Sequence, residues 1–385
     1  MKCIGLFLSS EPSAGGVQQY SLSIIKALES YDRTQFKIRC FYFNSDWEVA
    51  IPAHFLKTPL NRIFFDRAIS VLVRGLSRSY HVWKWFGAHS KTAKIINNSD
   101  CDVVIYPAQD ALAYQVHKKS IATIHDLMHR YESHFQEYQG KECEIRDEHY
   151  KGICQYANLI LVDSQIGKEH VAESYGRDHK VSILPFVPPA YLLESSKIEF
   201  AKTHSLPTRY IFYPAQFWEH KNHLILLQAI KILRDRNMIV NLFLVGSKKN
   251  YYENVLSKIK EYGLEAQVYI LGYVSNEEMY SLYKQAIAMV FPSLIGPTNI
   301  PPMEALLTGC PLICSNAYAM PEQVGNAALL FNPKSPEELA DKIEMVWTDE
   351  VTRESLIKLG QIKIAQYSQV QFNQTLLNCI NEVID

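Results

Sequence analysis

The chain lacks an excess of charge of either sign: 39 Lys and Arg stand against 40 Asp and Glu, a net −1 over 385 residues. That removes the basic footprint with which proteins hold nucleic acid, so no nucleic-acid partner is expected. There is no apolar run of about 18 residues, which argues against a membrane-crossing helix. The opening MKCIGLFLSSEPSAGG has an apolar stretch too short for the core of a secretory leader. Eight cysteines lie scattered at 3, 40, 101, 143, 154, 310, 314 and 379, with no Cys-x-x-Cys among them. Neither zinc spacing nor a disulfide framework follows, and the reading is reduced thiols in a cytoplasmic protein. Cys310 and Cys314 flank and enter an apolar run and read as core packing. A Gly-x-Gly-x-x-Gly fingerprint is also missing, which argues against dinucleotide binding. Asp100-Cys101-Asp102 has the letters of an acidic Asp-x-Asp pair but precedes the apolar run VVIY instead of following one, and no other acidic pair has the spacing to hold a divalent ion. Neither a metal nor a cofactor is expected.

What is present is a repeated strand-then-helix pattern. The first half carries the short apolar runs CIGLFL, KIRCFYF, CDVVIY, SIATI, NLILV and VSILP. The second half carries RYIFYP, VNLFLVG, VYILGYV, AMVFPS, PLICS and AALLFNP. Between them, stretches such as VQQYSLSIIKALES and HLILLQAIKILRDR place apolar residues at three- and four-residue spacing, the mark of amphipathic helices. Runs apolar on both faces, alternating with helices, imply parallel sheets covered on each side. The length is too great for one core. The polar, strandless segment 188–207 separates the two sets, so the expectation is an α/β chain of two doubly wound, Rossmann-like domains facing across a cleft. Their bounds are 1–187 and 208–365, with a final helix over about 366–385 packing back on the first.

In doubly wound sheets ligands sit at the carboxyl ends of strands, so chemistry is sought in the loops after them. After the first strand, Gly15 and Gly16 stand at a helix entry, either as an anion cradle or as a plain turn. His125 ends the strand SIATI, poised for a substrate hydroxyl or simply satisfied by its own loop. Lys221 opens a helix where a cation opposes the dipole, which a bound phosphate would explain; a solvated lysine is the alternative. The stretch GPTNIPPMEALLTGCPLICSN raises the sharpest question. Pro301 suits a first helical turn that Thr298 or Asn299 can cap. Glu304 then falls one turn in, among Met303, Ala305 and Leu306, and a buried carboxylate is costly unless hydrogen-bonded. A vicinal diol would satisfy it, as would backbone amides of the same turn.

These loops, in this order, resemble the retaining glycosyltransferases of family four, of the GT-B fold, also described as glycosyl transferases group 1. The family reads Glu-Gly-Phe-Gly-Leu-Pro-x-x-Glu-Ala and then Gly-x-Pro-Val, and GPTNIPPMEALLTGCPLICSN follows its second half closely. The segments PEQVGNAALLFNP, ANLILVDSQIGKEHVAESYG and LGYVSNEEMYSLYKQA extend the likeness over nearly the whole chain. The resemblance implies that Glu304 binds the donor ribose and that Lys221 neutralises the diphosphate. By the same resemblance Gly15 and Gly16 lie near the phosphates, His125 approaches the donor sugar, and Gly272, Tyr273 and Val274 meet the nucleobase through backbone atoms. Two positions depart from the pattern. Gly296 stands where the first Glu of the pair belongs, and Gln216 where an Arg belongs. The backbone N–H groups of Thr298, Asn299 and Ile300 are expected to take over sugar contacts, and Gln216 to hydrogen-bond the diphosphate without neutralising it.

The implied activity is metal-independent transfer of a hexosyl or deoxyhexosyl group, with retained anomeric configuration. The donor is a nucleoside-diphosphate sugar, and the acceptor a hydroxyl of a glycan or lipid-linked glycan in bacterial surface polysaccharide synthesis. A nucleotide-sugar epimerase of the same fold, or a catalytically weak nucleotide-binding homologue, are the competing classes. Residues 54–86 hold six Lys or Arg against one Asp and are rich in aromatics. They fit either contact with an anionic membrane, which would place the protein at its inner face, or an ordinary amphipathic helix pair.

Overall fold

The computed structural model describes residues 1–11, 15–61, 73, 77–176, 180–193 and 199–385. The chain divides into two compact units, Met1–Val187 with Gln369–Asp385, and Pro188–Ser368.

The first unit is built on a seven-stranded sheet. Its strands are β1 (Lys2–Leu8), β2 (Phe36–Tyr42), β3 (Leu56–Pro59), β4 (Val103–Tyr106), β5 (Lys119–Thr123), β6 (Leu159–Val162) and β7 (Val181–Ile183). Their order is β3-β2-β1-β4-β5-β6-β7, and every pairing is parallel. β4 and β6 are buried at every residue, as strands covered on both faces must be. The chain leaves β1 toward one edge and returns at β4 toward the other, so the carboxyl ends of these two neighbours form the topological switch point. The closing helix, Gln369–Ile384, packs on the helix Gly16–Glu29 and on β4 and β5. Phe372, Leu376, Cys379 and Ile380 fill that interface, and Lys119 Nζ donates to the carbonyls of Val383 at 2.7 Å and Ile384 at 2.9 Å.

The second unit has a six-stranded sheet of β8 (Ile211–Pro214), β9 (Leu242–Val245), β10 (Val268–Gly272), β11 (Ala288–Phe291), β12 (Leu312–Ser315) and β13 (Leu329–Phe331). The order β10-β9-β8-β11-β12-β13, again all parallel, puts the switch point between β8 and β11. The segment expected to be a connector, 188–207, belongs to this unit. Leu192, Phe200 and Ala201 join its core with Phe212, Leu244 and Ile313.

One sheet member escaped the apolar pattern. Leu56–Pro59 pairs with β2 as an edge strand whose residues alternate between half-buried and exposed. Of the two readings of 54–86, the helix pair is corrected over Leu56–Pro59, while Tyr80–Ala88 is a helix; residues 62–72 and 74–76 of that segment lie outside the described residues. Of the rest, Trp83 is buried and donates its indole N–H to the Ser77 carbonyl, while Lys84 lies over the Tyr156 ring. Among the described residues no helix is long and apolar enough to cross a membrane.

Candidate functional site

In the second unit, three loops and one helix converge at the carboxyl ends of β8 and β11. The loop after β8 ends in a 3-10 turn, Glu219–Lys221, so Lys221 precedes the helix His223–Asp235 instead of opening it. Asn222 takes a left-handed conformation, φ 57°, and pins the turn by donating to the carbonyls of Pro292 and Pro333. The Lys221 ammonium is thereby held 3.4 Å from Asn299 Oδ1 and faces the Phe291 ring. Gln216 is exposed and accepts the Trp218 indole N–H at 3.0 Å.

The loop after β11 leads into the helix Ile300–Thr308. Asn299 stands at its N-cap position, but its side chain makes no capping bond and is given to Lys221 instead. Its backbone is clamped by Gln323, whose Oε1 accepts the Asn299 N–H at 3.1 Å and whose Nε2 donates to the Asn299 carbonyl at 2.6 Å. This corrects the expectation that the Asn299 N–H serves a sugar. Pro301 and Pro302 carry no N–H, so the first turn is poor in donors for an anion. Gly296 has φ +135°, and a Cβ there would lie 2.3 Å from Asn299 Nδ2. The space that a side chain at 296 would claim is already filled by Asn299, which explains why the acidic residue expected by resemblance has no room.

Glu304 is 8% exposed. Both carboxylate oxygens are engaged, by phenols: Tyr283 donates to Oε2 at 2.7 Å and Tyr191 to Oε1 at 3.1 Å. Burial pushes its pKa up, and the two phenol hydrogen bonds oppose that rise. The backbone amides considered as partners are therefore not what satisfies it. Gly272 (φ +71°) closes β10, Tyr273 is 86% exposed, and Val274 is buried.

In the first unit, Gly15 caps the helix Gly16–Glu29 with φ 59°, and no side chain caps that end. A positive φ at this entry is what glycine supplies at little cost. His125 is enclosed. Its Nδ1 lies 3.2 Å from Asp163 Oδ2 and its Nε2 lies 2.9 Å from the Pro107 carbonyl, with Tyr20 and Phe186 against the ring. A carbonyl accepts only, and so does a carboxylate, so both ring nitrogens carry protons. Burial pulls the imidazole pKa down, but the charge and hydrogen bond of Asp163, with the Pro107 carbonyl, more than offset this and raise it. The expectation that the ring itself reaches a substrate is corrected: both its donors are spent inside the protein. His125 also lines a cavity of about 480 Å³ with Gln109, Asp126, Glu142, Arg146 and His149.

The acidic pair near β4 is structural. Asp100 binds Lys37 at 2.9 Å and Arg39 at 3.0 Å, and Asp102 accepts the Cys3 N–H at 2.7 Å. Among the described residues, the grouping with metal-ligand spacing is Cys3, Asp100 and Cys101, and two cations already neutralise its carboxylate.

Comparison with known proteins bears on the second unit first. Residues 194–363 match the family described as Glycosyl transferases group 1. The O-antigen chain mannosyltransferase B of Escherichia coli is 29% identical over 160 residues, 41% of this chain and 42% of that protein. The O-antigen chain mannosyltransferase RfbU of Salmonella typhimurium is 27% identical over 175 residues, 45% of this chain and 46% of that one. The matched region thus spans less than half the length of either relative. Among solved structures, Anabaena Alr3699/HepE in complex with UDP and glucose superposes with a TM-score of 0.77 at 17% identity, covering 99% of this chain and 100% of that one. The sucrose-phosphate synthase (tll1590) of Thermosynechococcus elongatus gives 0.74 at 17% identity, covering 99% of each. At such identity these likenesses establish the fold, and that fold is GT-B: two Rossmann-like domains with parallel sheets.

Tyr191, Tyr283, Asp163 and Gln323 were missed by sequence reasoning. Asp163 follows β6 by one residue and was open to the same strand-end logic that found His125. The tyrosines gave no such signal, because Tyr283 falls in the apolar stripe of its helix.

Proposed function

We propose that the protein is a glycosyltransferase that moves a sugar from a nucleoside diphosphate to a hydroxyl of a glycan or lipid-linked glycan, with retained anomeric configuration, in surface polysaccharide synthesis. The observation that carries this reading is Glu304: a buried carboxylate whose two oxygens are held by phenols, on the helix after β11, with the Lys221 ammonium positioned at that helix's N-cap residue Asn299. A ribose diol donates two hydrogen bonds in the geometry a carboxylate accepts. Lys221 then faces the diphosphate, where negative charge builds as the glycosidic bond breaks. Gln216 adds a hydrogen bond without charge. The Gly15–Gly16 turn belongs to the same proposal, as do Gly272, Tyr273 and Val274 on the nucleobase side. His125 enters as a fixed positive charge and through its backbone, since its ring donors are spent. The polar cavity lined by Gln109, Asp126 and Arg146 is proposed for the acceptor.

The names of two relatives make mannose the first donor sugar to test. Calorimetry with GDP and with UDP identifies the nucleotide, and incubation with the matching sugar nucleotides identifies the sugar. Glu304→Gln keeps the volume and loses the charge. The expected loss of nucleoside-diphosphate affinity is about ten- to a hundredfold, as for a charge-assisted hydrogen bond. Equal binding by the wild type and this variant would remove the ribose assignment.

A further inference from the structure

The two phenols on Glu304 are not equivalent. Tyr283 sits on the helix Asn276–Gln285, fully buried, with its ring edge-on to Phe212 at 4.9 Å. Its hydrogen bond to Oε2 is the shorter, at 2.7 Å, and its hydroxyl also lies 3.5 Å from the Pro301 carbonyl. Tyr191 sits on the short 3-10 turn Ala190–Leu193, is only half-buried, and holds Oε1 at 3.1 Å. Leu192 beside it is anchored in the core, against which the Tyr191 ring also packs, partly buried, so moving its hydroxyl requires a turn of the Tyr191 side chain about its own bonds. Of the two phenols, Tyr191 alone reaches solvent, and it therefore covers the open side of the carboxylate. The exposed Tyr273, on the expected nucleobase side, lies close enough to act on the Tyr191 phenol electrostatically.

Resting on the donor-site reading above, we propose that Tyr191 is a stand-in for the nucleotide ribose. Its hydroxyl occupies Glu304 in the unliganded protein and must leave before a ribose diol can take Oε1, whereas Tyr283 stays and orients the carboxylate. Without a donor, a buried carboxylate with one partner would be costly, and the phenol removes that cost. With a donor, one hydrogen bond is exchanged for another, so nucleotide affinity is lowered by the strength of the bond displaced. Tyr191 is thus a specificity-determining residue: a ligand without ribose hydroxyls has nothing to offer Glu304 in exchange.

The test compares wild type, Tyr191→Phe and Tyr283→Phe by calorimetry. The probes are the nucleoside diphosphate that wild type binds and its 2′,3′-dideoxy counterpart. Tyr191→Phe keeps the ring and removes the competing hydroxyl. It should bind the ribose-containing diphosphate about fivefold more tightly, the value of an ordinary net hydrogen bond. It should show no gain with the dideoxy ligand, and its unliganded form should melt at a lower temperature than wild type. Tyr283→Phe should bind the same diphosphate more weakly. Binding by Tyr191→Phe that is unchanged or weaker, while wild-type binding still depends on Glu304, would overturn the stand-in role alone. An equal gain with the dideoxy ligand would do the same, since the effect would then have nothing to do with ribose. If wild type binds no nucleoside diphosphate, the donor-site reading and this inference fall together.

Discussion

At the scale of single residues, charge is placed where the protein itself can use it. His125 holds two protons because Asp163 and the Pro107 carbonyl face its two nitrogens, with Asp126 adding to the field. Its folded pKa is raised above the ordinary histidine value of about 6.5. A raised folded pKa means that the pair's contribution is complete below about pH 6.5 and is lost as pH rises through the folded pKa. The wild-type melting temperature should therefore fall as pH rises from about 6.5 through the folded pKa, and His125→Gln, which cannot titrate, should flatten that part of the profile. Identical slopes in scanning calorimetry would show that the imidazolium–carboxylate pair does not form. Glu304 was legible as an anomaly, since one acidic residue in an apolar helix demands a partner. Which partner was not legible. Two phenols from distant parts of the chain satisfy it, and a tyrosine in a helix stripe reads as core whether or not its hydroxyl has a task.

At the scale of elements, the loop between β11 and the helix Ile300–Thr308 is built around an absent side chain. Gly296 takes φ +135°, and the Asn299 amide lies where its Cβ would point. Gly296→Glu therefore meets two obstacles, backbone strain worth about 1–3 kcal/mol and the displacement of Asn299 from Lys221. We expect a loss of at least about 2 kcal/mol in urea unfolding. Gly296→Glu combined with Asn299→Gly should recover the steric part but not the backbone part, so the double variant should lie between the single variant and wild type. Full recovery would mean that the backbone is relaxed at 296 and that only the clash matters. The strands were legible because parallel strands buried on both faces leave continuous apolar runs, as in LILV of β6 and LFLV of β9. β3 was hidden for the complementary reason. LKTP lies at the sheet edge, buries no residue fully, and has no pattern beyond its backbone pairing with β2.

At the scale of the whole molecule, the two-sheet plan follows from the alternation of apolar runs and amphipathic helices, and the solved GT-B structures share it. Local pattern reads the last stretch only as an amphipathic helix, and the expectation that it returns to the first domain does not rest on that pattern. The stretch Gln369–Ile384 is simply an amphipathic helix, and only its packing partners assign it. It seals the first unit, although the whole second unit precedes it in the chain: Leu376 is fully buried, Phe372 packs edge-on to Tyr20, and Tyr31 donates to the Asn373 carbonyl at 2.8 Å. Tyr20 in turn packs edge-on to His125. A single core thus joins the last helix to the ring that carries the buried charge. Leu376→Ala should cost about 2–5 kcal/mol, the range for a leucine removed from a packed interior. Because the last helix packs on the helix Gly16–Glu29 and on β4 and β5, hydrogen exchange should rise in those elements, while β8 to β13 stay protected. Exchange that rises equally in both units, or in neither, would show that the closing helix does not belong to the cooperative core of the first unit.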